Sequence, residues 1–265
     1  MIRIRNLNFS YKEEPVLRKV DVEIKKGEFI GIMGATGSGK STFAMCLNGI
    51  IPNSVQGKFS GDVEICGKNS KSSEVFDLAK SVGMVFQDPD FQIFSLEVSD
   101  EVSFGPENLG LGKGEIQERV DSALEMVGIK DLKYRETFAL SVGQKQKVCI
   151  ASVLAMNPDI LVLDEPTSQL DFRSTKEIYG ILKDLHGKGK TIIIIEHKVD
   201  WLLEYADRIL VLDGGKFILD GKPPEVFKNF EILERIGIET PKVLRLERFL
   251  KKKGIKTDLK ELLKV

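Results

Sequence analysis

The sequence predicts an α/β fold: a mixed, mostly parallel sheet with an antiparallel N-terminal part, an inserted helical subdomain and a small helical C-terminal appendage. Three observations carry this. The apolar runs Phe29–Met33, Val82–Phe86, Ile160–Leu163 and Thr191–Ile195 are continuous rather than alternating, the pattern of strands buried on both faces. A glycine-rich stretch lies between the first of these runs and the apolar helical segment Ser41–Leu47. From about residue 98 to 137 the apolar spacing turns helical before sheet pattern resumes.

Taken in order, residues 2–8 and roughly 20–25 read as strands joined by a turn around Lys12–Pro15. Tyr11 closes the first. It is either an aromatic platform for a flat ring or an ordinary strand-end tyrosine, and position alone favours the second. The stretch Gly34-Ala35-Thr36-Gly37-Ser38-Gly39-Lys40-Ser41-Thr42 fits the phosphate-binding pattern G-x-x-x-x-G-K-[ST]. Its glycines let backbone N–H groups turn inward around phosphate oxygens. Lys40 supplies a point charge to the β- and γ-phosphates, and the Ser41 hydroxyl is placed to ligate Mg²⁺. A strand before the loop and a helix after it put the anion at a helix N-terminus, where partial positive charge favours it.

Beyond the loop, Gly61–Ile65 reads as a strand, residues 73–80 as a short helix, and Val82–Phe86 as a buried strand ending at Gln87. In Gln87–Phe94, the apolar Phe91, Ile93 and Phe94 sit among polar residues. They form either an exposed docking patch or a fold-back onto the core, and the residues alone leave both open. Val98–Leu109 and Glu115–Val127 are helical, broken at Gly110-Leu111-Gly112. Leu140-Ser141-Val142-Gly143-Gln144 opens a long helix through Met156, ended by Asn157-Pro158, with Ser141 a natural N-cap.

The run Ile160–Leu163 delivers Asp164-Glu165 at its carboxyl end, where ligands of open parallel sheets gather. Asp164 is placed to hold Mg²⁺ through water, and Glu165 to position and polarise an attacking water. Ser168–Asp171 continues as a loop, and Thr191–Ile195 ends at Glu196-His197, pointing His197 towards the γ-phosphate. Residues 207–219 form an edge hairpin around Asp213-Gly214-Gly215. After Pro223-Pro224 the pattern is helical, at Val226–Ile236, Val243–Leu250 and Leu259–Leu263. The excess of Lys and Arg beyond Pro241 reads as a solvated helical face ahead of a contact with lipid or nucleic acid.

Composition narrows the classes. A formal net charge of −1 argues for no nucleic-acid or membrane field, and no apolar run approaches the roughly 18 residues of a spanning helix. Ile2-Arg3-Ile4-Arg5 is strand pattern rather than a signal peptide. Cys46, Cys66 and Cys149 are scattered, which suits reduced thiols of a cytosolic protein, and two histidines argue against a histidine metal site.

In combination these motifs resemble the nucleotide-binding subunits of ABC transporters, over residues 1 to about 222. The resemblance implies a P-loop NTPase core at 1–222, an inserted helical subdomain at about 90–158 and a C-terminal extension at 223–265 that aids dimerisation. It makes Tyr11 the adenine-stacking aromatic, Gly34–Thr42 the Walker A loop, and Gln87 a sensor of Mg²⁺ and of the transmembrane partner. Ser141 and Gly143 become signature residues that close on ATP, Asp164-Glu165 Walker B with its catalytic base, Ser168–Asp171 the D-loop, and His197 the switch histidine.

Gln87–Gln92 and Phe104–Leu111 are similar to the energy-coupling factor (ECF) group, importers of vitamins and transition-metal ions. The likeness implies a second ABC ATPase subunit, usually a distinct paralogue with a homodimer as the other arrangement. It also implies membrane scaffold and substrate-binding subunits, and a peripheral place on the cytoplasmic face of the membrane. The rival is a soluble ABC ATPase acting on DNA or the ribosome. Sustained heptads and a second phosphate loop, which such relatives carry, do not occur in this sequence. A small-molecule kinase would leave Leu140–Gln144 and His197 without a role. One departure matters: the signature usually reads Leu-Ser-Gly-Gly-Gln, and Val142 replaces its first glycine. A β-branched side chain there predicts an asymmetric pair, with the site completed by this chain's signature closing less well.

Overall fold

In the computed structural model, which describes residues 1–254, ten strands form two sheets. The segment Leu259–Leu263, with Lys256, Lys260 and Lys264, lies outside the described residues. An antiparallel sheet of order β2-β1-β4-β5 joins β1 (Ile2–Tyr11), β2 (Glu14–Ile24), β4 (Lys58–Ile65) and β5 (Lys68–Asn69). A six-stranded sheet of order β10-β9-β3-β8-β7-β6 joins β3 (Phe29–Met33), β6 (Val82–Val85), β7 (Ile160–Asp164), β8 (Thr191–Ile195), β9 (Arg208–Asp213) and β10 (Lys216–Gly221). Its strands run parallel except β10, which pairs antiparallel at the edge. The four continuous apolar runs are the adjacent strands β3, β8, β7 and β6, the last at the sheet edge, and each strand is buried along its length.

Alternation along these strands feeds two separate cores. Phe29, Leu161, Leu163, Ile192 and Ile194 face the helical side. Ile30, Ile32, Ile160, Val162, Ile193 and Ile195 face the antiparallel sheet and α1 (Lys40–Leu47). At about 1.5–3 kcal/mol for each fully buried aliphatic side chain, Ile192–Ile195 make β8 a firm support for whatever follows it. Short helices α2 (Ile50–Asn53) and α3 (Val75–Ala79) follow α1. The stretch between β6 and β7 folds as α4 (Val98–Asn108), α5 (Lys113–Met126) and α6 (Val142–Ala155), and α7 (Phe172–Gly187) and α8 (Val199–Tyr205) complete that face.

Three expectations shift. The first hairpin is longer than its apolar pattern, with its turn narrowed to Lys12-Glu13, because Lys12 takes a left-handed φ of 51° and Pro15 is tolerated on the edge strand β2. Phe86 falls outside β6 and is partly exposed. Val226–Ile236 is not one helix but α9 (Pro223–Val226) and α10 (Phe230–Arg235), separated around Asn229. The helix α11 (Lys242–Lys252) then carries most of the described basic residues beyond Pro241.

Candidate functional site

The chain leaves the carboxyl end of β3 at Met33 and turns through Gly34–Gly39 into α1. Gly37 and Gly39 hold φ of 78° and 105°, a region that side chains rarely enter. A Cβ on Gly34 would strike the Leu212 carbonyl and the Ser38 hydroxyl. Gly39 is the N-cap of α1 and offers no side-chain cap, so the first-turn N–H groups are left for another acceptor. Lys40 folds back over the loop, its Nζ donating to the carbonyls of Gly34 at 2.9 Å and Ala35 at 3.1 Å. Burial lowers the Lys40 pKa, with Glu165 and Asp164 acting against it. A buried ammonium satisfied only by carbonyls suits a strong anion.

Four strand ends converge on this loop. Asp164 closes β7 and is buried, and its Oδ1 has no hydrogen-bond partner. Burial raises its pKa, opposed by the Ser41 hydroxyl beside it. An orphaned buried carboxylate oxygen next to Ser41 fits a divalent cation. Because the raised pKa makes the native state hold its proton more tightly than the unfolded chain, this group's stability contribution falls as pH rises between the two values. Asp164→Asn is therefore expected to raise the Tm of the nucleotide-free protein at pH 7. The gain should vanish in acid, where Asp164 is itself protonated; thermal unfolding at both pH values checks it.

Glu165, next along the chain, sits at a left-handed φ of 47°, a costly conformation for a non-glycine residue. It turns the carboxylate back between two partners: Gln87 Nε2 donates to Oε2 at 2.8 Å, and His197 Nε2 lies 2.9 Å from Oε1. Gln87 comes from beyond β6 and His197 from beyond β8. Tyr11, Thr36, Gly37, Gly39–Thr42, Gln87, Glu165 and His197 line one cleft of about 460 Å³. Tyr11 is held there, its hydroxyl 3.3 Å from Thr42 Oγ1 and its ring edge-on to Phe9 at 4.8 Å. Val16, which nothing in its own pattern singled out, lines the cleft beside Tyr11.

Ser141, Gly143 and Asp171 do not line this cleft. Ser141 caps α6 in a capping box with Gln144. Val142 is half exposed at the first position of α6. Gly143 lets α6 approach α7, since a Cβ there would sit 3.1 Å from Ser174 Oγ. Asp171 N-caps α7, and the hydrogen bonds from Ser174 lower its pKa. In the Gln87–Phe94 segment the two sequence readings divide: Ile93 packs on the core, while Phe91 and Phe94 stay exposed. Two anchors of this segment belong to no motif: Glu101, buried on α4, accepts from the N–H groups of Phe94 and Ser95, and Lys145 of α6 pairs with Asp90. The signal for Glu101 was present, a charge three residues after Val98 on the apolar face of a helix.

Comparison with known proteins gives one family. The sequence profile of the family described as "ABC transporter" matches residues 17–168. The energy-coupling factor transporter ATP-binding protein EcfA2 of Clostridium tetani is 42% identical over 281 aligned positions, covering 100% of this chain and 96% of the relative. The structure of cbiO1 from Clostridium perfringens, described as part of the ABC transporter complex cbiONQ, superposes with a TM-score of 0.79 at 39% identity, covering 93% of this chain and 98% of that one. The ATP-binding cassette MJ0796, solved as a dimer in a post-hydrolysis state bound to ADP and Pi, gives a TM-score of 0.74 at 29% identity, covering 84% and 99%.

Proposed function

The chain belongs to the ABC transporter ATP-binding family, and we propose that this ATP-hydrolysing subunit energises an ECF-type importer as one half of an ATP-sandwich dimer. The observation that supports this best is a division in the site. The phosphate loop, Gln87, Glu165 and His197 share one cleft, while Ser141 and Gly143 stand outside it at the exposed start of α6. A site assembled from two subunits has that form: this chain's cleft holds the nucleotide, and another subunit's signature covers the γ-phosphate.

Within the cleft, Tyr11 stacks the base and the loop N–H groups with Lys40 hold the phosphates. Ser41 and Asp164, with Gln87, would hold Mg²⁺, which would supply neutralisation of the phosphate charge. Glu165 orients the attacking water and accepts its proton, and His197 stabilises charge developing on the γ-phosphate. Asp171, at the end of the loop after Glu165, faces the second subunit.

The second cassette is a distinct paralogue or another copy, paired in part through residues 223–265. The exposed Phe91, Phe94 and Leu96 are the surface for a membrane scaffold subunit, and closure of the pair moves that surface. No helix among the described residues is long and apolar enough to cross a membrane, so in this reading partners hold the chain at the cytoplasmic face. The cargo class, a vitamin or transition-metal ion, follows from the ECF reading and is chosen by a separate subunit. Isolation of the chain from its host tests the assignment: a polytopic scaffold with a small substrate-binding membrane protein is expected, and a ribosome or DNA complex would overturn it.

The signature departure gives a second test. Val142 is exposed where a partner's γ-phosphate would approach. In the assembled complex Val142→Gly should raise turnover about fivefold, the change that ~1 kcal/mol off the barrier gives. Unchanged turnover and unchanged ATP affinity would contradict the asymmetric pair.

A further inference from the structure

The residues on either side of His197 both reach away from the cleft, into the loop that follows Glu165. Glu196 is 1% exposed; its Oε2 accepts from Thr167 Oγ1 at 2.5 Å, and its Oε1 accepts from the N–H groups of His197 at 2.9 Å and Lys198 at 3.2 Å. Thr167 is completely buried. Lys198 Nζ donates to the carbonyls of Thr167 at 2.7 Å and Leu170 at 3.1 Å, and to Thr175 Oγ1 in the first turn of α7 at 2.9 Å. The other hydrogen bonds of residues 166–170 are local turns, Ser168 N–H to Glu165 and Leu170 N–H to Thr167. Every long-range hydrogen bond of that loop, among the described residues, therefore comes from Glu196 or Lys198.

The arrangement is costly unless it is used. Glu196 buries a carboxylate with no cation on it, satisfied by one hydroxyl and two N–H groups. Its backbone N–H is tied to Ile32 of β3, the strand that enters the phosphate loop, at 3.2 Å, and the Glu165 N–H to Ile195 of β8 at 3.0 Å. The strained Glu165 leads directly into this loop, its carbonyl accepting from the Ser168 N–H at 3.2 Å. We infer that Glu196, Thr167 and Lys198 form a brace that fixes Glu165 and His197 at their contact distance, and are positioning residues for hydrolysis. The inference rests on the hydrolytic reading given above. It assigns the three residues no contact with nucleotide, since none of them lines the cleft.

Thr167→Val removes one hydroxyl at nearly constant shape, and Lys198→Met keeps the stem and loses the donor. In the assembled complex each is expected to lower kcat about 10- to 100-fold, the cost of a misplacement near 1 Å, with KM for ATP and the Kd of a non-hydrolysable analogue changed by less than about twofold. Thr167→Ser, which restores the donor to Glu196, should recover kcat to within about threefold of the natural chain. Natural kcat in both variants would overturn the brace. So would a fall in kcat matched by equal loss of ATP binding, or failure of Thr167→Ser to recover it. Hydrogen exchange in the nucleotide-free chain reads the brace independently of turnover: Lys198→Met should speed exchange across 166–171 while leaving 29–33 unchanged. If the natural complex fails to hydrolyse ATP the hydrolytic reading falls, and if 166–171 does not respond the brace falls.

Discussion

Glu165→Gln is expected to lower ATP turnover of the assembled complex by about 10²- to 10⁴-fold while ATP binding is retained. The amide keeps the size of the side chain and leaves Lys40, Ser41 and the loop N–H groups untouched. It cannot take a proton from water. Gln87 and His197 each face one carboxylate oxygen, at 2.8 and 2.9 Å, and an amide keeps an acceptor for only one of the two. Glu165 is itself fixed at a left-handed φ, which leaves it little freedom to find another orientation. Single-turnover hydrolysis with equilibrium binding of ATP separates the two effects. Turnover retained within about tenfold would remove Glu165 from the base role.

The second large effect lies in binding. Lys40→Met should weaken ATP by about 10²- to 10⁴-fold, from the loss of two charge-assisted contacts at ~1.5–3 kcal/mol each. Lys40 is 6% exposed and makes its present bonds to two carbonyls only. Burial lowers its pKa against the opposing pull of Glu165 and Asp164, and an arriving phosphate supplies a counter-charge in direct contact with the ammonium. Methionine fills the stem's volume and should leave the nucleotide-free fold stable, because the change removes a buried charge. Calorimetric titration with ATP checks the loss, and an affinity within about threefold of the natural chain would contradict it.

Much of this site was legible because its chemistry is local in sequence. Strand, glycine loop and helix stand within Phe29–Leu47, and Glu165 and His197 each follow a run whose buried character is unmistakable. Continuous apolar runs translate directly into a sheet covered on both faces, and the helical spacing of 98–127 into α4 and α5. The failures have equally physical causes. The apolar pattern understates the first hairpin because left-handed residues at Asn6 and Lys19 and register shifts between β1 and β2 interrupt its alternation. The break between α9 and α10 has no proline or glycine to announce it. The partition of Ile93 from Phe91 depends on which way a single 3₁₀ turn at Pro89–Phe91 faces.

The brace was invisible for a different reason. Glu196 and Thr167 are 29 residues apart, and neither stands out beside its showier neighbours Glu165 and His197. A buried acid next to a histidine at a strand end reads in sequence as one polar turn, and only the register of β7 against β8 brings it onto Thr167. Ser141 and Gly143 present the opposite case. They were legible as a motif, yet this chain alone gives them nothing to close upon.

The claim that the cleft is half of a shared site is open to one direct measurement. A Lys40→Met copy keeps Ser141–Gly143 but lacks a working phosphate loop, so it can only cap another chain's nucleotide. Such a copy, or the matching variant of a co-purifying paralogue, is titrated against a limiting amount of the natural chain at saturating Mg·ATP. The expected result is a hydrolysis rate that rises with the added cassette and saturates, and that stays low when the added cassette also carries Ser141→Arg. A rate per natural chain that is independent of that chain's own concentration, and flat throughout the titration, would contradict the shared site.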